Sequence, residues 1–297
     1  MSTNNIKKRQ NEDRMLRYQY ASRSYYNSAE KLNDLVWLIV VFAWSVIFWH
    51  DNLSFSKIFS VGICFFADMV AMILNSQIKK NVYWASALRK YFDAYVLGIN
   101  IDQFKESEIE KLEELSIKAT KKCVEKSKEQ MSNTCYDTPP GVHNWYEFSQ
   151  TLSEQDAIYE CQKQNCWWNK KLMYKRILYT IIVLLLLFIV YLVFYLFIKA
   201  KTGILLFFFS SSGLVLKCVE RSIANCKYYM LSLKIDGALE VLTNSRSDEN
   251  IKNLQTQIDA RRSMLVLERN FIHKHYAKEY TELFDDIRKV KKIKRAK

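Results

Sequence analysis

Between Gly141 and Trp168 the chain concentrates side chains that can hold a ligand. Trp145, Tyr146, Trp167 and Trp168 offer stacking faces, Gln162, Gln164 and Asn165 offer paired donors and acceptors, and Lys163, Lys170 and Lys171 offer positive charge for a phosphate. Stacking one base on an aromatic ring contributes roughly 1–3 kcal/mol. Trp145, Tyr146, Gln162, Lys163, Asn165 and Trp168 are therefore the candidate ligand-binding residues. The same residues also suit an aromatic belt at a membrane surface, since they immediately precede a long apolar run. Both readings stand on the residues alone.

Two further constellations are polar groups inside apolar stretches. Asp68 lies in FFADMVA. An ionised carboxylate at bilayer depth costs roughly 2.5–3.5 kcal/mol on insertion scales, so it requires a partner or water. It either lines a pore or pairs across an oligomer, or it is protonated or bonded within helix packing. Ser210, Ser211, Ser212 and Gly213 form a small polar run that permits close helix approach, with packing as the first role and pore lining the second.

Catalytic chemistry finds no foothold. The four histidines, at 50, 143, 273 and 275, are scattered, and His273-x-His275 lacks a nearby cysteine pair. Cys161-x4-Cys166 has no second pair, and no P-loop, GxGxxG, GxSxG or HExxH is present. The chain is expected not to be an enzyme, and to carry no metal and no cofactor. Seven cysteines without regular spacing read as free thiols.

The elements that must position these residues are apolar segments in two pairs: Leu35–Trp49 with Ile58–Leu74, and Ile177–Ile198 with Ile204–Leu216. Each pair is closed by a short polar turn, which predicts two transmembrane hairpins. At 1.5 Å per residue Ile177–Ile198 covers roughly 30 Å of hydrocarbon, whereas Leu35–Trp49 and Ile204–Leu216 cover only roughly 20 Å. Lysines and arginines crowd the outer flanks of the hairpins and are sparse in their turns, which places both termini and the central insert in the cytoplasm. No signal peptide is evident, because the first apolar run starts at Leu35 with no small-residue cleavage site after it. Only six Gly and two Pro in 297 residues exclude a turn-rich all-β chain. The net charge of +13 fits a basic surface facing anions.

The predicted fold is thus a mostly all-α membrane protein: two transmembrane helical hairpins, four membrane helices in all, with a helical cytosolic domain built from the central insert and both termini. Its parts are a cytosolic N-terminal segment (1–34), hairpin 1 (35–75), a cytosolic sensor region (76–176), hairpin 2 (177–217) and a C-terminal helical region (218–297) whose tail from Arg288 is almost all basic. Within the insert, Ala85, Leu88, Tyr91, Phe92, Tyr95, Val96 and Ile99 recur at helical spacing. Asn100–Asp102 predicts a break, Ser107 a helix cap, and Asn133–Gly141 a loop. Ile251, Leu254, Ile258, Arg261, Arg262 and Leu265 give a C-terminal amphipathic pattern.

A set of short motifs runs through nearly the whole chain: Ile6…Arg9-Gln10-Asn11, Ala21…Tyr25-Tyr26…Ala29, Tyr91-Phe92-Asp93-Ala94-Tyr95-Val96-Leu97-Gly98, Gly141-Val142…Trp145-Tyr146, Cys161-Gln162…Asn165…Trp168, and Gln255…Ile258…Arg261. In this order around two hairpins the chain resembles the SMODS-associating four-transmembrane effectors of bacterial antiphage defence. It departs from them after Gly98, where Ile99-Asn100-Ile101 replaces a Leu-Pro-Trp-like stretch. The resemblance implies a pore-forming, homo-oligomeric effector in the bacterial inner membrane, functionally linked to a nucleotidyltransferase. The regulatory ligand would be that enzyme's cyclic oligonucleotide or dinucleotide second messenger, bound in the cytosolic domain. Binding would permeabilise the bilayer and arrest growth or kill the cell, with no direct contact to DNA or RNA. The other reading is a membrane-anchored helical scaffold that recruits protein partners and forms no pore.

Overall fold

The computed structural model describes residues 3–49, 57–149, 151–166, 169–197, 201–244 and 246–264. These residues are overwhelmingly helical, and among them no strand forms beyond an isolated bridge between Thr134 and His143. The helices are α1 (Thr3–Gln10), α2 (Asp13–Trp49), α3 (Lys57–Leu97), α4 (Glu106–Lys122), α5 (Val124–Ser132), α6 (Glu154–Cys166), α7 (Asn169–Phe197), α8 (Lys201–Asn244) and α9 (Asp248–Arg262). The chain divides into two compact units. One comprises residues 1–37, 71–167 and 231–265, the other residues 38–70, 168–230 and 266–297, so α2, α3 and α8 contribute to both.

In the first unit the helix ends follow from local chemistry. α3 stops at Gly98, whose φ of 69° needs no Cβ, and the Ile99 N–H bonds back to the Ala94 carbonyl at 3.1 Å. Asn100 follows with φ 57° and opens the short 3₁₀ turn Ile101–Gln103, so the expected break is present. α4 begins one residue before Ser107, the expected cap. The Glu108 carboxylate instead accepts the Lys105 N–H at 3.1 Å, and glutamates in the first turn with lysines in the last suit the helix dipole. Ser153 and Ser247 accept N–H groups at the starts of α6 and α9, from Asp156 and Asn250, each at 3.2 Å.

The loop after α5 is pinned by its backbone. The Gly141 N–H bonds Thr134 O at 2.7 Å, Val142 N–H bonds Gln130 O at 2.8 Å, and His143 N–H bonds Asn133 O at 2.9 Å. A Cβ at Gly141 would collide with the Asn133 backbone carbonyl, so only glycine closes this turn. The core gathers Met15 and Tyr18 of α2, Leu88, Tyr91, Phe92 and Val96 of α3, Leu112 of α4, Ala157, Ile158 and Cys161 of α6, Ile235 and Leu242 of α8, and Ile251, Leu254 and Ile258 of α9. The helical periodicity seen from Ala85 to Ile99 is the face that this core covers.

The second unit presents the opposite surface. Leu38, Phe42, Phe65, Phe66, Leu185, Leu186, Phe188, Ile189 and Leu196 are all exposed, far beyond what a water-facing surface carries. Among the described residues two helices are long and apolar enough to cross a membrane, Phe59–Leu97 and Met173–Val190. The segments expected as spans lie within α2, α3, α7 and α8, apart from Ile198, which lies outside the described residues, as do residues 50–56 and 198–200 at the hairpin turns. Polar groups are consumed between helices: Asn225 of α8 donates to the Thr180 hydroxyl of α7 at 3.4 Å, and Thr180 donates to the Arg176 carbonyl at 2.7 Å. Asp68, exposed on α3, lies beside Gly213 of α8, where an added Cβ would come within 2.5 Å of its Oδ1.

Candidate functional site

α3 carries an aspartate on its core face. Asp93 is 0% exposed, and a carboxylate there must be fully partnered to remain charged. The Tyr146 hydroxyl donates to Oδ1 at 2.5 Å, Gln255 Nε2 donates to Oδ2 at 3.3 Å, and the Arg262 guanidinium forms an ion pair with Oδ2. Three segments distant in sequence, the loop after α5, α9 and α3, thus meet on one side chain.

The network extends outward from these partners. Asn165 Nδ2 donates to the Tyr146 hydroxyl at 2.8 Å, and the Asn165 carbonyl accepts from Arg261 at 2.8 Å. Gln162 Nε2 donates to Gln255 Oε1 and to the Ile251 carbonyl, both at 3.1 Å. Gln10 of α1 reads the Tyr146 backbone in both directions, accepting its N–H at 2.8 Å and donating to its carbonyl at 3.1 Å. Asn11 accepts the Asn144 N–H at 2.9 Å and donates to the Asn144 side-chain Oδ1 at 2.7 Å. Asp259, one turn from Arg262, takes a bond from Gln255 at 3.1 Å.

Burial sets the electrostatics. It pushes the Tyr146 phenol far above its ordinary range, with the neighbouring Asp93 charge adding to the effect, so Tyr146 stays a donor. Burial also lifts Asp259 to about 6, although Arg262 draws it down. For Arg262 burial opposes the charge, but Asp93, Tyr146 and Asp259 outweigh it and hold the guanidinium above its ordinary value. Burial raises the thiols of Cys161 and Cys166. All seven cysteines are free thiols.

The candidate ligand residues are therefore placed unequally. Tyr146 and Gln162 are 1% and 0% exposed, and the Tyr146 hydroxyl and the Gln162 Nε2 are bonded inside the fold, while Gln162 Oε1 has no hydrogen-bond partner among the described residues. Asn165 is partly buried and joins them. Trp145 is partly buried, with the Arg89 guanidinium 3.9 Å above its ring. Lys163 is partly exposed on α6, over the Tyr159 ring at 5.2 Å and 4.0 Å from Glu160. Trp168 lies outside the described residues, as do His50, His273 and His275 and the basic tail; Ser210, Ser211 and Ser212 lie in α8, their side chains outside those described. Sequence reasoning assigned no role to Asp93, Gln10 or Gln255 and missed Arg89 and Arg262. The available signal was Asp93 itself, a charge inside an apolar helical stripe.

The model of the SMODS-associating 4TM effector domain matches residues 4–287. The chain belongs to that family. The motifs through which it resembles these effectors are, for the most part, the members of the Asp93 network: Gln10 and Asn11, Asp93, Tyr146, Gln162 with Asn165, and Gln255 with Arg261. As an SMODS-associating 4TM effector the chain is a membrane effector of antiphage defence. No curated protein and no solved structure matches it.

Proposed function

We propose that this effector forms a membrane pore gated by a cyclic oligonucleotide or dinucleotide second messenger bound to the unit around Asp93. The observation that carries the reading is the distribution of polarity along α3. The helix bears a fully buried, multiply partnered carboxylate at Asp93 and, on its apolar portion, an exposed carboxylate at Asp68. A ligand moves a two-state element only by binding its states unequally. A buried ion pair held by Tyr146, Gln255 and Asp259 is such an element, because its disruption is costly.

The exposed apolar side chains of α2, α3, α7 and α8 support four membrane-crossing segments in a homo-oligomer, with both termini on the basic, cytoplasmic side. Asp68 then faces water or a second copy in the inner membrane and not lipid. The second messenger would come from an associated nucleotidyltransferase. The test is dye release from liposomes carrying the purified protein, with and without cyclic dinucleotides and trinucleotides. Release only with nucleotide is expected; absence of release under every nucleotide, with intact insertion, would establish the scaffold reading instead.

A further inference from the structure

Beside the Asp93 network lies a cluster with more donors than acceptors. Arg89 stands one helical turn before Asp93 on α3. Its guanidinium donates to Gln19 Oε1 and covers the Trp145 ring at 3.9 Å and the Phe92 ring at 5.9 Å. Among the described residues no carboxylate lies within ion-pair distance of Arg89, since Asp93 is taken up by Tyr146, Gln255 and Arg262. Gln19 of α2 is 1% exposed, and its Nε2 has no hydrogen-bond partner among the described residues. Burial and the like charge of Arg262 both pull the Arg89 guanidinium below its ordinary value.

A buried amide donor without an acceptor costs about 1–3 kcal/mol, and a half-buried guanidinium without an anion is likewise unfavourable. Both deficits point at the same missing chemistry, an anion with several acceptor oxygens. Arg89 and Trp145 remain partly exposed, so water reaches them, while Gln19 lies beneath. We propose that Arg89 and Gln19 bind a phosphodiester group of the cyclic nucleotide, with the Trp145 indole as the aromatic wall beside it. Arg89 matches a phosphate through its planar fork, and the Gln19 amide supplies a neutral donor at its base. The site adjoins Asp93 through Arg262 and Tyr146, so an anion here competes with Asp93 for Arg262. This rests on the nucleotide-gated reading and locates its ligand away from Gln162 and Lys163.

The test uses the full chain in detergent, titrated with cyclic di-AMP, cyclic di-GMP and cyclic tri-AMP and followed by thermal shift and calorimetry. Arg89→Met and Gln19→Leu are each expected to weaken binding at least tenfold. Without nucleotide both variants are expected to melt at about the wild-type temperature, because each breaks the Arg89–Gln19 hydrogen bond but also removes a group whose donors are not all used. Wild-type affinity in Arg89→Met overturns the site while leaving the gating reading intact, and so does a lowered melting temperature of both variants without nucleotide, which marks the pair as structural. A wild-type chain that binds no cyclic nucleotide overturns the gating reading and this site together. Stabilisation by phosphatidylglycerol over phosphatidylcholine nanodiscs, abolished in Arg89→Met and without any nucleotide response, would reassign the cluster to a lipid phosphodiester.

Discussion

Asp259 offers a quantitative test of the buried network. Its carboxyl is raised from 3.8 to about 6, first by burial and further by Asp93, with the attraction of Arg262 already included in that balance. Each pH unit between the folded and unfolded values corresponds to about 1.36 kcal/mol, so the ionised side chain costs the folded state about 3 kcal/mol at pH 7. The sign follows from proton binding. Between about pH 4 and pH 6 the folded chain holds the proton and the unfolded chain does not, so this group's contribution becomes less favourable as pH rises through that window. Asp259→Asn keeps an acceptor for Gln255 and removes the charge. At pH 7.5 the variant is expected to be more stable than wild type by up to about 3 kcal/mol, or roughly 5–10 °C in melting temperature. At pH 4 the two are expected to coincide. The measurement is thermal unfolding of the detergent-solubilised protein across that range. A variant less stable than wild type at pH 7.5, or an offset independent of pH, would show that Asp259 is held by Arg262 as a favourable ion pair and that the balance above is wrong.

Two further outcomes test the remaining geometry. Asp93→Ala strips Arg262 and Tyr146 of their shared acceptor and should cost about 3–5 kcal/mol, read as rapid proteolysis of α9 in limited trypsin digestion; resistance equal to wild type would deny Asp93 its central place. Gly213→Ala brings a Cβ to within 2.5 Å of Asp68 Oδ1, whereas a Cβ at Gly62 meets nothing within 4 Å. Nucleotide-dependent dye release should therefore fall several-fold in Gly213→Ala and stay at wild-type level in Gly62→Ala, and equal behaviour of the two would reduce Asp68 to a bystander.

Much of the helical layout was legible because periodicity and punctuation are local signals. The stripe from Ala85 to Ile99, the break at Asn100 and the pinned loop ending at Gly141 each follow from nearest neighbours along the chain. Ser107 misled because a serine before acidic residues looks like a cap, while the glutamate three residues after Lys105 supplied the acceptor first. The network was not legible for a different reason. Tyr146 and Gln162 have the same donors and acceptors whether they meet a base or an aspartate, and nothing local reveals that Asp93, 53 residues before Tyr146, is the partner. Arg89 read as one more cytoplasmic charge, since its lack of a carboxylate is a property of three-dimensional neighbours alone.

The contact between Asp93 and Arg262 spans 169 residues of sequence. At ribosomal rates of about 5–20 residues per second, on the order of 10 s separates the emergence of the two partners. During that interval the apolar stretches of α7 and α8 are synthesised, those of α2 and α3 being already complete, while the carboxylate that organises the first unit still lacks its guanidinium. Nascent chains that stall before α9 would therefore carry every apolar segment without the ion pair around Asp93. The unit around Asp93 thus cannot close until translation has reached α9.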